Sequence, residues 1–247
     1  MRSGTTDGPT VLLAHGFTDN WQCLSPLAAR FVDDHDVILY DARGHGLSEA
    51  PDAGYDAETM ANDLGELCET LDIVDPVLYG HSLGADSVAR VARRADLQPR
   101  AIVLEDHPAQ LFAALGGDHL SNKRDQLERW STATHASLRE RFEPQHPRFA
   151  DVLATARKQV RPHVLGITKR GFEPLDLALP NPPCPTLLLR PDPAVASYTD
   201  PERDRQWANG KTRVHTVDGA GHTIFRDRPS LCLDIVEEFL AEHGLLR

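Results

Sequence analysis

The stretch on which the whole chain depends reads Pro76-Val77-Leu78-Tyr79-Gly80-His81-Ser82-Leu83-Gly84-Ala85-Asp86. A short apolar run leads into Gly-His-Ser-Leu-Gly, and apolar residues at helical spacing follow. This order predicts a strand, a sharp turn and a helix, with Ser82 at the apex. So tight a reversal forces the central residue into a strained backbone conformation, and the flanking glycines leave no Cβ to collide with it. The motif predicts a serine hydroxyl beside a helix N-terminus, although alone it is equally consistent with an ordinary Gly-Ser turn.

The rest of the chain alternates short apolar runs with amphipathic segments. Besides the run before Ser82, the predicted strands are Thr10–Ala14, Val37–Tyr40, Ala101–Leu104, Thr186–Leu189 and Thr212–Val217. Strands that alternate with helices imply right-handed crossovers and a mostly parallel sheet with helices on both faces. In such α/β sheets, ligands bind outside the carboxyl ends of the strands. We therefore expect the polar motifs that follow these strands to lie along one edge of the sheet.

Composition and charge restrict the classes of partner. The chain has 247 residues, of which 40% are hydrophobic and 26% charged, and its net charge is −11. An acidic chain is a poor ligand for nucleic acid or for anionic membrane surfaces, so neither partner is expected. The four cysteines are widely spaced and form no metal-ligand pattern, so we predict free thiols, no disulfide framework and no metal or other cofactor.

The termini and the hydropathy pattern bear on localisation. Residues 1–9 are polar and have no apolar core, which is atypical of a signal peptide. No apolar run approaches the roughly 20 residues that a membrane-spanning helix needs. We therefore predict a soluble, cytoplasmic protein.

The pattern of apolar and charged residues changes between residues 109 and 183. Charged helical stretches, residues 122–142 and 148–160, replace the strand–helix alternation, and a proline-rich exit follows. We predict a core formed by residues 1–108 and 184–247, interrupted by a helical insertion at residues 109–183; we call residues 109–183 the cap segment, because the family resemblance given below implies a cap at this position. Its apolar side chains would either line an acyl pocket or pack the cap helices together: Phe112, Leu115, Trp130, Phe142, Phe149, Val164 and Leu165.

Ser82 and His222 are the candidate nucleophile and base. A serine hydroxyl is a poor nucleophile at neutral pH, so it needs a base within hydrogen-bond reach. His222 ends a Gly-Ala-Gly-His loop that follows the last predicted strand, where small residues allow close approach. With twelve histidines in the chain, a surface role is the alternative for any one of them.

A carboxylate is expected to fix the tautomer of that histidine. Asp192 follows the penultimate strand and keeps the chain order serine, aspartate, histidine, although Pro-Asp-Pro is also typical of a turn. Asp106 competes with it because it ends the strand after the serine helix. Glu105 is a weaker candidate, and Asp218 is interpreted as a residue that shapes the histidine loop.

Two backbone N–H groups are the candidate oxyanion donors. They belong to Leu83, at the start of the serine helix, and to Phe17, in the loop after the first predicted strand. Gly16 would let the Phe17 backbone approach a substrate. Asp41 and Arg43 lie in another loop at a strand end, and we interpret them as braces between neighbouring loops.

Taken together, the motifs resemble those of the α/β-hydrolase superfamily, in its serine-nucleophile, esterase- and lipase-like branch with a cap. They are His-Gly-Phe at 15–17, Asp-Ala-Arg-Gly-His-Gly-Leu-Ser at 41–48, Gly-His-Ser-Leu-Gly at 80–84 and Gly-Ala-Gly-His at 219–222. The resemblance covers nearly the whole chain. It implies an α/β-hydrolase fold with Ser82 as nucleophile, His222 as base, Asp192 as acid, and Phe17 and Leu83 as oxyanion donors. A serine in place of an aspartate argues against the dehalogenase and epoxide-hydrolase branches.

The chain departs from the family pattern in two places. Only nine residues precede the first predicted strand, so we expect a six-stranded sheet without the family's N-terminal hairpin. The strand Val37–Tyr40 would then lie at an exposed edge, which could be covered or could pair in a homodimer. The family often places its acid a few residues further along the loop, where this chain has Ala194, and this keeps Asp106 open as the acid.

The expected function is that of a cofactor-independent, carboxylesterase-like serine hydrolase. It would cleave a carboxylic ester, lactone or thioester of a small acyl substrate through an acyl-enzyme. Perhydrolases of the non-haem haloperoxidase type and carbon–carbon bond hydrolases use the same triad and remain alternatives. A ligand-binding homologue without catalysis is the alternative from a different class.

Overall fold

A computed structural model describes residues 1–109, 117–169, 171–195 and 200–246. Seven strands form one sheet in the order β1-β3-β2-β4-β5-β6-β7. Their bounds are β1 Arg2–Gly4, β2 Thr10–Ala14, β3 Asp36–Leu39, β4 Val77–His81, β5 Ala101–Glu105, β6 Thr186–Pro191 and β7 Thr212–Val217. Strands β2 to β7 pair in parallel. The predicted α/β architecture, with its mostly parallel sheet, is confirmed.

The predicted number of strands is wrong by one. β1 pairs antiparallel with β3, so β3 is not an edge strand. The pairing rests on backbone and ionic contacts: the Met1 ammonium donates to Leu39 O at 2.7 Å, and Arg2 binds the Asp36 carboxylate at 2.9 and 2.8 Å. Because Arg2–Gly4 is short and lacks apolar residues, hydrophobic periodicity gives no sign of it.

Both faces of the sheet are covered by helices, which explains the apolar strand sequences. In β2, Val11 and Leu13 belong to one buried cluster, while Leu12 and Ala14 belong to the other. This period of two is the alternation of side chains in a strand buried on both faces. The helices of the core are α1 Ser25–Ala28, α2 Ala57–Thr70, α3 Leu83–Val91, α8 Pro201–Trp207, α9 Ile224–Asp227 and α10 Pro229–Glu242, with a 3-10 turn at Trp21–Leu24.

The described part of the cap segment is helical and lies between β5 and β6. It contains α4 Gly117–Thr132, α5 His135–Phe142, α6 Ala150–Gln159, a 3-10 stretch at Pro162–Lys169 and α7 Leu175–Ala178, which packs against the sheet. The predicted helix over 122–142 is divided because Thr134 caps α5, its side chain accepting a hydrogen bond from Ser137 N. Phe112 and Leu115 lie outside the described residues. Among the described residues, no helix is long and apolar enough to cross a membrane.

Candidate active site

The loops that follow the parallel strands lie at one edge of the sheet, because parallel strands present all their carboxyl ends there. The strands β2, β4, β5, β6 and β7 end at Ala14, His81, Glu105, Pro191 and Val217. The predicted polar motifs follow each of these strands directly. The site is therefore assembled from five separate loops.

Ser82 occupies the strained turn that its motif predicts. It has φ 51° and ψ −114°, joins β4 to α3, and donates its backbone N–H to Glu105 O at 2.9 Å. A non-glycine residue at positive φ is uncommon and persists where the surroundings hold it. The turn closes because Gly84 has no side chain: a Cβ there would lie 2.1 Å from Ala14 O.

The Ser82 side chain is buried, and within the described ranges its hydroxyl has no hydrogen-bond partner. A buried hydroxyl normally finds a partner, and a role of Ser82 as nucleophile would account for the absence of one here. Hydrogen bonds to a nucleophile often tighten only when substrate is bound.

His222 pairs with Asp106. The His222 Nδ1 atom lies 2.6 Å from Asp106 Oδ2, and the aspartate side chain is fully buried while that of the histidine is 25% exposed. An Nδ1–H that donates to a carboxylate leaves Nε2 unprotonated, which is the tautomer a general base requires. Asp106 has φ 41°, so the chain turns sharply at the end of β5 to present this carboxylate.

The structure does not bring Asp192, the acid expected from the sequence, to His222. Its Oδ1 accepts a hydrogen bond from Ala194 N, and its Oδ2 one from Gly219 N, each at 2.9 Å. These two N–H donors lower the pKa of Asp192. Asp192 therefore ties its own loop to the loop that carries His222, and the alternative position, Asp106, holds the carboxylate at the histidine.

A second buried carboxyl group lies beside this pair. Glu105 accepts a hydrogen bond from Tyr79 Oη at 2.5 Å and another from Phe225 N at 2.8 Å. Burial raises the pKa of Glu105, and it also raises the pKa of Asp106 against the opposing hydrogen bond from His222. Phe225 lies three residues after His222, so Glu105 holds the far side of the histidine loop.

The loop of residues 16–20, which we call the oxyanion loop, approaches the site closely. A Cβ on Gly16 would lie 2.4 Å from the His81 ring, so only glycine allows this approach. Two buried histidines hold the loop. His45 Nε2 accepts a hydrogen bond from Thr18 N at 3.4 Å, and His15 Nε2 accepts one from Ala42 N at 3.0 Å.

Burial favours the neutral form of both histidines. It lowers the pKa of His15, and it lowers that of His45 to about 3, helped by the neighbouring His15. A neutral imidazole has one donor and one acceptor nitrogen. His45 uses one of each, because its Nδ1 donates to Arg43 O at 2.9 Å and its Nε2 accepts from Thr18 N.

Phe17 and Leu83, the predicted oxyanion donors, lie in the same part of the structure. Leu83 is the first residue of α3, where a backbone N–H has no intrahelical acceptor. Its buried side chain packs in a cluster with Phe17 and with the cap residues Trp130, Val164 and Leu165. Of the predicted pocket residues, these three therefore share a buried cluster with Leu83, whereas Phe149 packs in the cluster on one face of the sheet.

Asp41 and Arg43 have the bracing contacts expected of them. Asp41 accepts hydrogen bonds from Trp21 N and Leu47 N, each at 2.9 Å. Arg43 pairs with Asp63 and donates to Gly54 O at 2.9 Å. They connect the loop after β3 to its neighbours.

Asp19, Arg157 and Arg226 form a buried cluster next to the site that the sequence analysis missed. Asp19 accepts hydrogen bonds from Arg157 Nη1 at 2.8 Å and from Arg226 Nη2 at 2.7 Å. The available signal was a carboxylate only two residues beyond a predicted oxyanion donor. Within the described ranges, no group of three or more histidine, cysteine or acidic side chains is arranged to hold a metal ion.

Comparison with known proteins finds similar chains among bacterial enzymes. The chain is 40% identical over 102 residues to 2-(acetamidomethylene)succinate hydrolase of Mesorhizobium japonicum, a match covering 41% of this chain and 37% of that one. It is 38% identical over 96 residues to a non-heme chloroperoxidase of Streptomyces lividans, covering 38% of this chain and 34% of the other. The matches thus span just over a third of the length of these curated relatives.

Similarity to solved structures extends over the whole fold. The crystal structure of E-2-(acetamidomethylene)succinate hydrolase matches with a TM-score of 0.79 at 24% identity, covering 97% of this chain and 93% of that one. At this identity the likeness shows the fold. The model of the alpha/beta hydrolase family matches residues 11–235, from β2 to α10. The chain therefore belongs to the alpha/beta hydrolase family.

Proposed function

We propose that this protein is a cofactor-independent hydrolase of carboxylic esters, lactones or thioesters, acting through Ser82, His222 and Asp106. The observation that carries the proposal is the 2.6 Å contact between His222 Nδ1 and the buried Asp106 carboxylate, at the sheet edge where Ser82 is held in a strained turn. These three residues have the chain order serine, aspartate, histidine. The substrate is a small acyl compound, and no further group is required.

In this reaction Ser82 Oγ attacks the acyl carbonyl as its proton passes to His222 Nε2. Asp106 keeps the imidazole in the required tautomer and stabilises the imidazolium that forms. The backbone N–H groups of Leu83 and Phe17 stabilise the negative oxygen of the tetrahedral intermediate. His222 then gives the proton to the leaving alcohol, and a water molecule activated by His222 hydrolyses the acyl-enzyme.

The proposal is tested by hydrolysis of p-nitrophenyl esters from acetyl to decanoyl by the wild type and by Ser82→Ala. Because the members of a triad act as a unit, Ser82→Ala should lose about a thousandfold or more in kcat. Since one relative is a 2-(acetamidomethylene)succinate hydrolase, that compound belongs in the panel. If the wild type matches Ser82→Ala on every substrate, the hydrolase proposal is wrong and ligand binding without catalysis takes its place.

A second candidate function is perhydrolysis, favoured by the similarity to the non-heme chloroperoxidase of Streptomyces lividans. Hydrogen peroxide would replace water as the acceptor of the acyl group, and the same three side chains would serve. Adding peroxide to the acetyl ester assay distinguishes the two: a perhydrolase releases peracetic acid faster than acetic acid.

A further inference from the structure

The oxyanion loop is bonded to the cap segment through helix α6. Arg157 Nη1 donates to Thr18 O at 2.5 Å, and Asn20 Nδ2 donates to Gln159 Oε1 at 2.9 Å. Both cap residues lie in the last turns of α6. The loop that carries the Phe17 N–H is therefore held from the cap side as well as from the core side, where His45 accepts from Thr18 N.

The bond at Thr18 falls where the backbone needs support. Thr18 has φ 68°, in the left-handed region that a β-branched residue seldom adopts. Such a conformation persists only when the surrounding structure determines it. The Thr18 carbonyl bonded to Arg157 and the Thr18 N–H bonded to His45 lie directly after Phe17, so together they set the direction of the backbone at the predicted oxyanion donor.

Asp19 extends the connection to the histidine loop. Its carboxylate lies between Arg157, on α6, and Arg226, on α9, four residues after His222. Burial would raise the pKa of Asp19, but the two guanidinium groups outweigh burial and hold that pKa well below its usual value. Asp19 is thus a buried anion shared by three segments: the oxyanion loop, the cap segment and the helix after His222.

The same carboxylate faces the residue next to Ser82. His81 Nδ1 lies 3.8 Å from Asp19 Oδ2, and His81 Nε2 lies 3.1 Å from His222 O. The rings of His81 and His222 are 5.0 Å apart. A displacement of Asp19 would therefore change the surroundings of both the nucleophile turn, through His81, and the base, His222.

Arg157 buries its guanidinium against aromatic side chains of the cap segment. Its guanidinium lies 5.4 Å from the centre of the Trp130 ring and 5.5 Å from that of Phe142, both in the cap segment. Its side chain is only 9% exposed. A planar guanidinium that stacks and donates in fixed directions is not replaced by lysine without loss.

We propose that Arg157 is a positioning residue through which the cap segment holds the oxyanion loop in its productive conformation. It acts through Thr18 O and Asp19, and it fixes the direction of the Phe17 N–H without touching the substrate. The inference rests on the proposed function, because it assigns Arg157 an effect on the rate of that reaction. It makes the cap segment a support of the oxyanion loop.

The test compares Arg157→Gln with Arg139→Gln, a matched control in the same cap segment. Arg139 pairs with Glu143 at 2.8 Å on the surface of α5, where both side chains are 45% exposed. Since loss of one oxyanion donor costs 10²–10³ in kcat and Arg157→Gln only misdirects one, we expect a loss of about tenfold to a hundredfold in kcat. KM should stay near the wild-type value. Affinity for an alkyl boronic acid that forms a tetrahedral adduct with Ser82 should fall in the same proportion as kcat. Arg139→Gln should match the wild type in all three quantities.

Amide hydrogen exchange provides a measurement that does not depend on activity. The N–H groups of Thr18 and Asp19 are hydrogen-bonded, to His45 Nε2 and to Gly16 O at 3.1 Å, so their exchange reports on the loop. They should exchange faster in Arg157→Gln than in Arg139→Gln. If the wild type hydrolyses nothing, the proposed function fails, while this exchange still decides whether Arg157 holds the loop.

Three results would overturn the inference: unchanged exchange at Thr18 and Asp19, an unchanged kcat in folded Arg157→Gln, or a rise in KM with kcat intact. The last result would make Arg157 a substrate-binding residue. If Arg157→Gln fails to fold, Arg157→Lys takes its place, since it keeps the charge but loses the forked geometry. That variant should show the same loss of kcat at constant KM in weaker form, and wild-type kcat in it would equally contradict the proposal.

Discussion

The Nδ1 atom of His222 lies 2.6 Å from Oδ2 of Asp106, a contact between residues 116 positions apart in the chain. It joins the end of β5 to the loop after β7, and thus passes over the end of β6, the strand that lies between them. Asp192, at the end of β6, is engaged by the N–H groups of Ala194 and Gly219 instead. The two aspartates therefore have separable roles, one at the imidazole and one in the shape of the loops.

Replacing each aspartate by asparagine separates these roles. Asp106→Asn should lower kcat by about a thousandfold or more, because an amide no longer selects the imidazole tautomer that accepts the Ser82 proton. Asp192→Asn should lower kcat far less, because it disturbs hydrogen bonds between loops and not the contact with His222. The measurement is kcat on the best p-nitrophenyl ester. A large loss in Asp192→Asn with near wild-type Asp106→Asn would return the acid to Asp192.

Both positions could be expected from the sequence, but the choice between them could not be made from strand order. Asp106 and Asp192 each follow a parallel strand, and either loop can bring a carboxylate to the histidine. What separates them is local: Asp106 turns at positive φ, whereas Asp192 bonds to the N–H two residues ahead. The second pattern is the common behaviour of aspartate in turns, and the sequence Pro-Asp-Pro was a sign of it.

Substitution of Gly16 tests the close approach of the oxyanion loop. Gly16→Ala would bring a Cβ to 2.4 Å from the buried His81 ring, which cannot move aside. Overpacking of this kind costs about 1–3 kcal/mol of stability and should displace the loop, with a large loss of kcat. Gly210→Ala is the matched control, because a Cβ there meets nothing within 4 Å. Equal kcat in the two alanine variants would mean that the loop approaches the site less closely than described.

The pH dependence of stability should reveal the buried Glu105 carboxyl. Because burial raises its pKa in the folded state, the folded chain binds the proton more tightly than the unfolded chain. Its contribution to the free energy of unfolding is therefore fully present below the unfolded-state pKa and is lost as pH rises through the folded-state pKa. Each pKa unit of difference corresponds to about 1.4 kcal/mol.

The variant Glu105→Gln keeps an oxygen for the Phe225 N–H but cannot ionise. Relative to the wild type, the variant should therefore become more stable as pH rises from about 4, near the ordinary glutamate pKa, toward neutrality. Its free energy of unfolding minus that of the wild type should increase over this range. Urea titrations of both proteins at a series of pH values give this difference directly. A difference that does not change with pH would contradict a raised pKa at Glu105.

The variant Arg43→Ala tests whether Arg43 has a structural role, connecting neighbouring loops, or a catalytic one. The Arg43 and Asp63 side chains are 21% and 28% exposed, so their pairing is partly screened and its loss should cost only about 1 kcal/mol. Because neither residue contacts the predicted triad, kcat should remain near the wild-type value while the unfolding midpoint falls. A selective loss of kcat without loss of stability would assign Arg43 to the site.

The sequence predicts the fold better than it predicts the features that depend on polar contacts. The parallel strands β2 to β6 followed from apolar runs, as expected of strands buried on both faces, whereas the edge strand β7 is only partly buried and includes Arg213 and His215. β1 could not be recognised in this way, because Arg2–Gly4 pairs through its backbone and through the ion pair with Asp36. The Asp19–Arg157 contact was hidden for the same reason, because it joins charged residues 138 positions apart.

The central claim, that Ser82 is an activated nucleophile, is tested most directly by covalent labelling with a fluorophosphonate. The wild type should gain the mass of a single adduct, located on Ser82 by tandem mass spectrometry, and Ser82→Ala should gain none. Asp106→Asn should label far more slowly than Asp192→Asn, since only the first alters the base. Failure of the folded wild type to label, or an adduct on another residue, would contradict the account.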